Sequence, residues 1–278
     1  MVAAKLIFNL SKKGSDKDCE VRDLIEGYLA GLSKYGNIWG EFVLSSKKKG
    51  FQAYTYLSHP NAMAKKYQTK HTKKDLENIY EKIGENPKCE ILGDKIDRTV
   101  PKWKTESFLY IFTHAFDFTS PVCLGSSGKA LPIYFLPLSA GDRERAYFWA
   151  SSYRDHDRIW LSSDELEIPA YKQMVEPDSG LSKKGRKICD IVEKKTGIPT
   201  YYFLNRYWGR IENEDNRLCP RCGSEWRVEE EIAPSKSFSN FAFQCKPCRL
   251  VSCEADSFED ERHARIGEYK LKKSTDTD

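Results

Sequence analysis

Long apolar runs are missing from this chain of 278 residues, and histidine is scarce at 5. No segment approaches the roughly 20 apolar residues that cross a bilayer. The opening Met1-Val2-Ala3-Ala4-Lys5-Leu6-Ile7-Phe8 turns polar at Asn9, too early for a signal-peptide core. Gly128-Lys129 lacks the G-x-x-x-x-G-K-[ST] spacing of a phosphate-binding loop. The histidines near acids, His114 with Asp117 and His156 between Asp155 and Asp157, form no nucleophile–base set. Asp155 and Asp157 read as partners of Arg154 and Arg158 on an exposed helix face, and His114 as a packed strand residue. Cys123 has no identifiable base. These absences point away from membrane spans, secretion and catalysis, and no small-molecule substrate is identifiable. The expectation is a non-catalytic, soluble, cytoplasmic protein.

What is present begins with a core. Hydrophobic residues make up 40% and charged residues 31%, enough for one large domain or two plus a small module. Cys19, Cys89, Cys123 and Cys189 are scattered singly, as reduced thiols are in a cytosol. The remaining cysteines cluster near the C-terminus. Cys219-Pro220-Arg221-Cys222-Gly223 and Cys245-Lys246-Pro247-Cys248-Arg249 are two C-x-x-C pairs with 22 residues between them. Each pair makes a tight knuckle that aims two sulfurs at one point, so the spacing reads as a zinc ribbon with one structural Zn2+. Gly223 suits the positive φ of such a turn. Trp226–Val228, Phe238–Phe243 and Leu250–Ser252 are expected strands, with a turn at Pro234-Ser235-Lys236-Ser237. Four thiolates complete a tetrahedron, which leaves Cys253 a bystander and the metal without an open position.

Charge is unevenly spread. The net charge is +4, yet residues 211–262 hold 7 Lys+Arg against 12 Asp+Glu. An acidic ribbon is poorly suited to gripping phosphates. From Phe42 to Lys74 there are eight lysines (47, 48, 49, 65, 66, 70, 73 and 74) and no acid. One-signed stretches of this length attract phosphates or an acidic protein, or are merely solvated. All eight are lysines, so bidentate recognition is not implied.

Apolar periodicity sets the fold class, α+β. Strands are expected at 5–10, 41–44, 51–57 and 89–92, with helices at 20–35 and from His59 to Ile83, broken near Thr69–Thr72. That is an N-terminal ferredoxin-like βαββαβ unit over residues 1–95. A mixed α/β middle region follows over 96–212: strands at 108–113, 130–136 and 198–204, and helices after Gly141-Asp142, at 169–174 and at 182–196. The ribbon occupies 213–262 and a polar tail 263–278. Lys49-Gly50-Phe51 and Tyr56 match part of an RNA-recognition signature, with Ala53 where a stacking aromatic belongs. In the plainer reading Phe51 packs under the helices while Tyr54 and Tyr56 dress the open face.

Cys219-Pro220-x-Cys222-Gly223-x-x-Trp226, Phe243-x-Cys245-x-Pro247-Cys248-Arg249-Leu250-Val251-Ser252, Leu181-Ser182-x-x-Gly185-Arg186 and Thr196-Gly197-Ile198-Pro199-Thr200-Tyr201-Tyr202 together resemble an uncharacterised bacterial family. Its members are described as zinc-ribbon-containing. The resemblance covers most of the chain and implies Cys219, Cys222, Cys245 and Cys248 as zinc ligands, with nucleic-acid binding as the suggested role. It carries over no catalytic residue. The functional expectation is therefore a zinc-binding macromolecule-binding protein that takes nucleic acid through Lys47, Lys48, Lys49, Lys65, Lys66, Lys70, Lys73, Lys74, Tyr54 and Tyr56. The alternative is a protein-binding immunity or antitoxin protein, masking a basic toxin with its acidic ribbon.

Overall fold

The computed structural model describes residues 1–10, 15–93, 98–232 and 241–270. The turn expected at 234–237 lies outside them. The chain divides into two units. Unit 1 takes residues 1–102, 118–121 and 130–148, and unit 2 takes 103–117, 122–129 and 149–278.

Unit 1 is built on β1 (Val2–Asn9), α1 (Ser15–Lys34), β2 (Ile38–Lys47), β3 (Gly50–Leu57), α2 (Lys70–Ile83) and β4 (Lys88–Leu92). The strands pair in the order β2-β3-β1-β4, every neighbour antiparallel. Period-two alternation decides which face is buried. Ala4, Leu6 and Phe8 of β1 point inward with Phe51, Ala53 and Leu57 of β3. They meet Val21, Ile25, Tyr28, Leu29 and Leu32 of α1 and Ile79 and Ile83 of α2. Each leucine, isoleucine, valine or phenylalanine among them contributes about 1.5–3 kcal/mol on burial. Thr69 caps α2 by accepting the Thr72 N–H at 3.2 Å, and Gly84 ends it at φ +83°. At the β2–β3 turn Gly50 is held at φ +131°, where a Cβ would collide with the Phe8 carbonyl oxygen. Only glycine lets the hairpin close there.

The RNA-recognition register fails at this point. Phe51 and Ala53, the positions that would stack on bases, face the core, and the outward residues of β3 are Gln52, Tyr54 and Tyr56. The plainer reading of this strand holds.

Unit 2 holds β5 (Leu109–Ile111), β6 (Val122–Leu124), most of α3 (Ala140–Ser162), α4 (Glu167–Val175), α5 (Gly180–Thr196), β7 (Thr200–Phe203), β8 (Arg227–Ile232), β9 (Phe241–Cys245), β10 (Leu250–Ser252) and a short α6 (Glu261–Ala264). Its six strands run in the order β6-β5-β7-β10-β9-β8. β5, β7 and β10 are mutually parallel and the other pairings antiparallel. The strands flanking the second cysteine pair thus continue the sheet begun by residues 109–111. Helix α5 lies close on β7 because Gly185 has no side chain; a Cβ would overlap the Tyr202 ring.

Two local expectations are corrected. Residues 130–136 form no strand: a 3-10 turn occupies Ile133–Phe135, entered through Pro132, which has no N–H to give a ladder. The strand is instead β6, inside the stretch that glycines and proline made look like a loop. Gly125 follows it, and a Cβ there would stand 2.6 Å from the Phe108 carbonyl oxygen. Asp157 is not on an exposed helix face either. It is buried and accepts the Ala115 N–H. Asp155 pairs with Arg158 at 3.4 Å, and Arg154 donates to the Asp117 carbonyl. Among the described residues no helix is long and apolar enough to cross a membrane.

Candidate metal centre

The sulfurs of Cys219, Cys222, Cys245 and Cys248 all lie within 4.8 Å of one another. Cys222 and Cys245 Sγ are 3.6 Å apart. Four thiolates at about 2.3 Å from one ion, at the corners of a tetrahedron, stand about 3.8 Å from each other. The spacing suits a shared ion and is far too long for a disulfide at about 2.05 Å. Cys253 is buried but stands outside this cluster.

Two hydrogen-bonded turns create the arrangement. In the first, the Gly223 N–H donates to the Cys219 carbonyl at 2.8 Å and the Cys219 N–H to Ser224 O at 2.8 Å. Gly223 sits at φ +74° with Tyr269 packed where a Cβ would be, so residue 269 is built against the knuckle. In the second, Arg249 takes the corresponding place at φ +52°. A left-handed non-glycine residue costs about 1–2 kcal/mol. Its side chain offsets that strain: Nη2 and Nε donate to Glu193 at 2.7 and 3.0 Å, and the guanidinium lies over Tyr201. Glu193 also accepts the Thr200 N–H, fastening α5, β7 and the knuckle together.

Electrostatics explain why the cluster wants a cation. Ser224 hydrogen bonds lower the Cys222 thiol to about 6, while burial pushes Cys248 up to about 11 and raises Cys245 too. Thiols this close resist joint ionisation, and a dication between them removes the repulsion. Three of the sulfurs are buried and Cys222 reaches the surface.

Behind the knuckles lies a buried arginine network that no spacing rule announces. Arg206, 4% exposed, grips Glu214 with Nε and Nη2 at 2.8 and 2.7 Å and donates to Ala264 O at 2.8 Å. Glu268 joins Arg206 and Arg210. Arg217 lies 3.8 Å from the Phe243 ring centre and 4.8 Å from that of Trp226, and donates to Ser252 Oγ and Cys253 O. Burial lowers its pKa to about 9. Trp226 donates its indole N–H to Arg217 O at 2.9 Å, so the run into Cys219 is held from both sides. The partners of Arg206 lie 8 to 62 residues away in sequence, so no local pattern signals the network.

The lysines of the basic stretch separate in space. Asn9 pairs with Gly50 and donates to Glu85, just past α2, at 2.6 Å. The Lys47–Lys49 turn therefore lies at the C-terminal end of α2. Lys70, Lys73 and Lys74 lie in its first two turns, with Lys65 and Lys66 before it. A helix of 14 residues puts about 20 Å between those ends. Tyr54 and Tyr56 are 40% and 50% exposed on the outward face of β3. Tyr54 stands level with Val43 of β2 and with Lys5 of β1, which is ion-paired to Glu90 of β4 at 2.5 Å.

Fold and site define an α+β protein of two units with a four-cysteine centre able to hold a metal ion. A domain of unknown function, DUF2310, matches residues 103–205, and another, DUF8594, matches 209–257. Two Haemophilus influenzae proteins, each named only as an uncharacterized protein, are similar. One is 32% identical over 158 residues, 56% of this chain and 73% of the relative. The other is 31% identical over 154 residues, 55% of each. The chain belongs to the bacterial family of the first of these proteins, marked by those two domains. No solved structure matches it.

Proposed function

We propose that the protein is a non-catalytic, zinc-stabilised binder of single-stranded nucleic acid, with the contact on the open face of the unit 1 sheet. The observation that carries this is the placement of Tyr54 and Tyr56 two residues apart on that face of β3, the strand that the Lys47–Lys49 turn leads into. Exposed aromatics stack on bases and lysines attract phosphates, a pairing of groups that suits unstacked strands. The order β2-β3-β1-β4 with two helices supports reading unit 1 as ferredoxin-like. Lys65 to Lys74, at the other end of α2, add long-range attraction rather than contact.

For the metal, soft thiolates in a tetrahedron favour zinc. Four protein ligands leave no position for water, so the ion is structural and the knuckles with their strands form a zinc ribbon. Nine free cysteines fit a reducing compartment such as the cytoplasm. The acidic ribbon is a weaker candidate for a basic protein partner, because Glu214, Asp215 and Glu254 already face Arg206 and Arg227.

The test is binding of labelled single-stranded RNA and DNA across a salt series. Replacing Lys47, Lys48 and Lys49 with alanine should flatten the slope of log affinity on log salt by about 2, at about 0.7 per lost phosphate contact. Tyr54→Ala with Tyr56→Ala should cost about 1–3 kcal/mol per stacked base with the slope unchanged. Absence of binding at low salt would discard the reading and turn the search to a basic protein partner.

A further inference from the structure

The three parallel strands of unit 2 end at one edge of their sheet. Loops diverge at the carboxyl ends of parallel strands and leave a crevice, where ligands of open α/β sheets bind. A cavity of about 360 Å3 lies there. Phe112 and His114 line it just past β5, Phe203 and Asn205 at the end of β7, and Asp157 and Trp160 from α3. Its volume falls in the range of small-molecule sites. The family region 103–205 supplies all six of these residues.

The walls are aromatic. Phe112 and Phe203 meet edge to face at 4.6 Å, and Trp160 meets Tyr207 at 5.0 Å. The polar groups have unused capacity. Asp157 is 6% exposed, and its Oδ2 accepts the Ala115 N–H at 2.5 Å. Its Oδ1 has no hydrogen-bond partner among the described residues, nor has the side-chain amide of Asn205. These atoms border the open cavity, where a donor on a ligand can reach them. Asp256 adds a second carboxylate to the lining, and no lysine or arginine among the described residues does. An anion would meet two carboxylates there, which His114 of the lining offsets only in part.

We propose that this cavity binds an uncharged, amino-bearing aromatic heterocycle of nucleobase type. Its ring packs against Phe112, Trp160 and Phe203, and its N–H groups donate to Asp157 Oδ1 and the Asn205 carbonyl. Asn205 offers a donor and an acceptor side by side, the pattern that matches a base edge. The heterocycle is either a free base or a base splayed out of a strand. The proposal stands apart from the sheet-face reading, which uses other residues in unit 1.

The test titrates the full, metal-loaded chain with adenine, cytosine and benzoate, and separately with oligodeoxyadenylate. The readout is the Trp160 indole N–H resonance, assigned by Trp160→Phe, with calorimetry beside it. Adenine or cytosine should saturate below about 1 mM and move the indole, while benzoate, an aromatic anion, should not. Asp157→Asn turns an acceptor into a donor and should weaken binding about tenfold or more, with metal content unchanged. Asn205→Ala, at a half-exposed position, should weaken it also and covers the case in which Asp157→Asn fails to fold. If the oligonucleotide moves the indole as the free base does, the source is a strand; if only the free base does, it is a small molecule. A still indole with both bases at about 1 mM would overturn the proposal, as would benzoate binding equally well or wild-type affinity in both variants.

Discussion

The two sheets of this protein are held by different physics. In unit 1, strands of 8, 10 and 8 residues bury an apolar face beneath two helices, and the 5-residue β4 pairs at the edge with its side chains largely exposed. In unit 2, β5, β6 and β10 are 3 residues long and β7 is 4. Strands so short are buried along their whole length, yet each supplies few ladder hydrogen bonds for the backbone entropy it must overcome. Their sheet is tied instead through side chains. Four sulfurs converge at one end of β9, Arg249 binds Glu193, and Arg206 and Arg217 reach from loop to loop. A long alternating sheet can stand on its core alone, whereas a short-stranded one leans on point attachments.

The most severe way to test that contrast is to deny the four-cysteine centre the zinc proposed for it. Chelation, or Cys245→Ser, should cost unit 2 several kcal/mol, since structural zinc sites supply about 10–16. Because β10 pairs with both β9 and β7, the loss should spread beyond the knuckles. Amide hydrogen exchange should show protection falling in β7, β9 and β10 while β1 and β3 keep theirs. Equal loss in both units would break the comparison.

Next come two substitutions of similar size and opposite address. Phe8→Ala should cost about 3–5 kcal/mol in unit 1 by opening a cavity, with metal content unchanged. Glu214→Ala should cost about 3–5 kcal/mol in unit 2, because it strands buried Arg206. Local exchange rates distinguish the two.

A smaller effect is acid sensitivity. Burial raises the Glu268 carboxyl, but Arg210, Arg206 and Arg265 outweigh it and leave the group below its ordinary value of 4.5. Its stabilisation is complete above that value and is lost as pH falls through the folded pKa. Thermal melting of unit 2 should thus decline on acidification, and Glu268→Gln should flatten the decline. The smallest effect separates strain from anchoring. Arg249→Gly relieves the positive φ and should be about 1 kcal/mol less damaging than Arg249→Ala, though both lose Glu193.

The same contrast governs what could be read in advance. Unit 1 announces itself because alternation in Leu6, Phe8, Phe51 and Ala53, and helical spacing in Ile25, Leu29 and Leu32, are local signals that agree with the core. The four cysteines are equally legible, since knuckle spacing follows from the geometry of one ion. What stayed hidden depends on contacts distant in sequence. Arg206 with Ala264 and Glu268, and Asp157 with Ala115, leave no periodic trace. Strand β6 was concealed by Pro121 and Gly125, although its own Val122-Cys123-Leu124 is fully buried. The lysines between 47 and 74 form one basic run in sequence, while the fold sets Lys47–Lys49 and Lys65–Lys74 at opposite ends of α2.

The claim at the centre of this account is that four thiolates close on one zinc ion and organise unit 2. X-ray absorption at the zinc edge of the purified chain tests it directly. The account expects one zinc per chain with four sulfur neighbours at about 2.3 Å, and loss of that signal in Cys245→Ser. A chain folded without zinc, or a zinc shell containing nitrogen or oxygen, would contradict it.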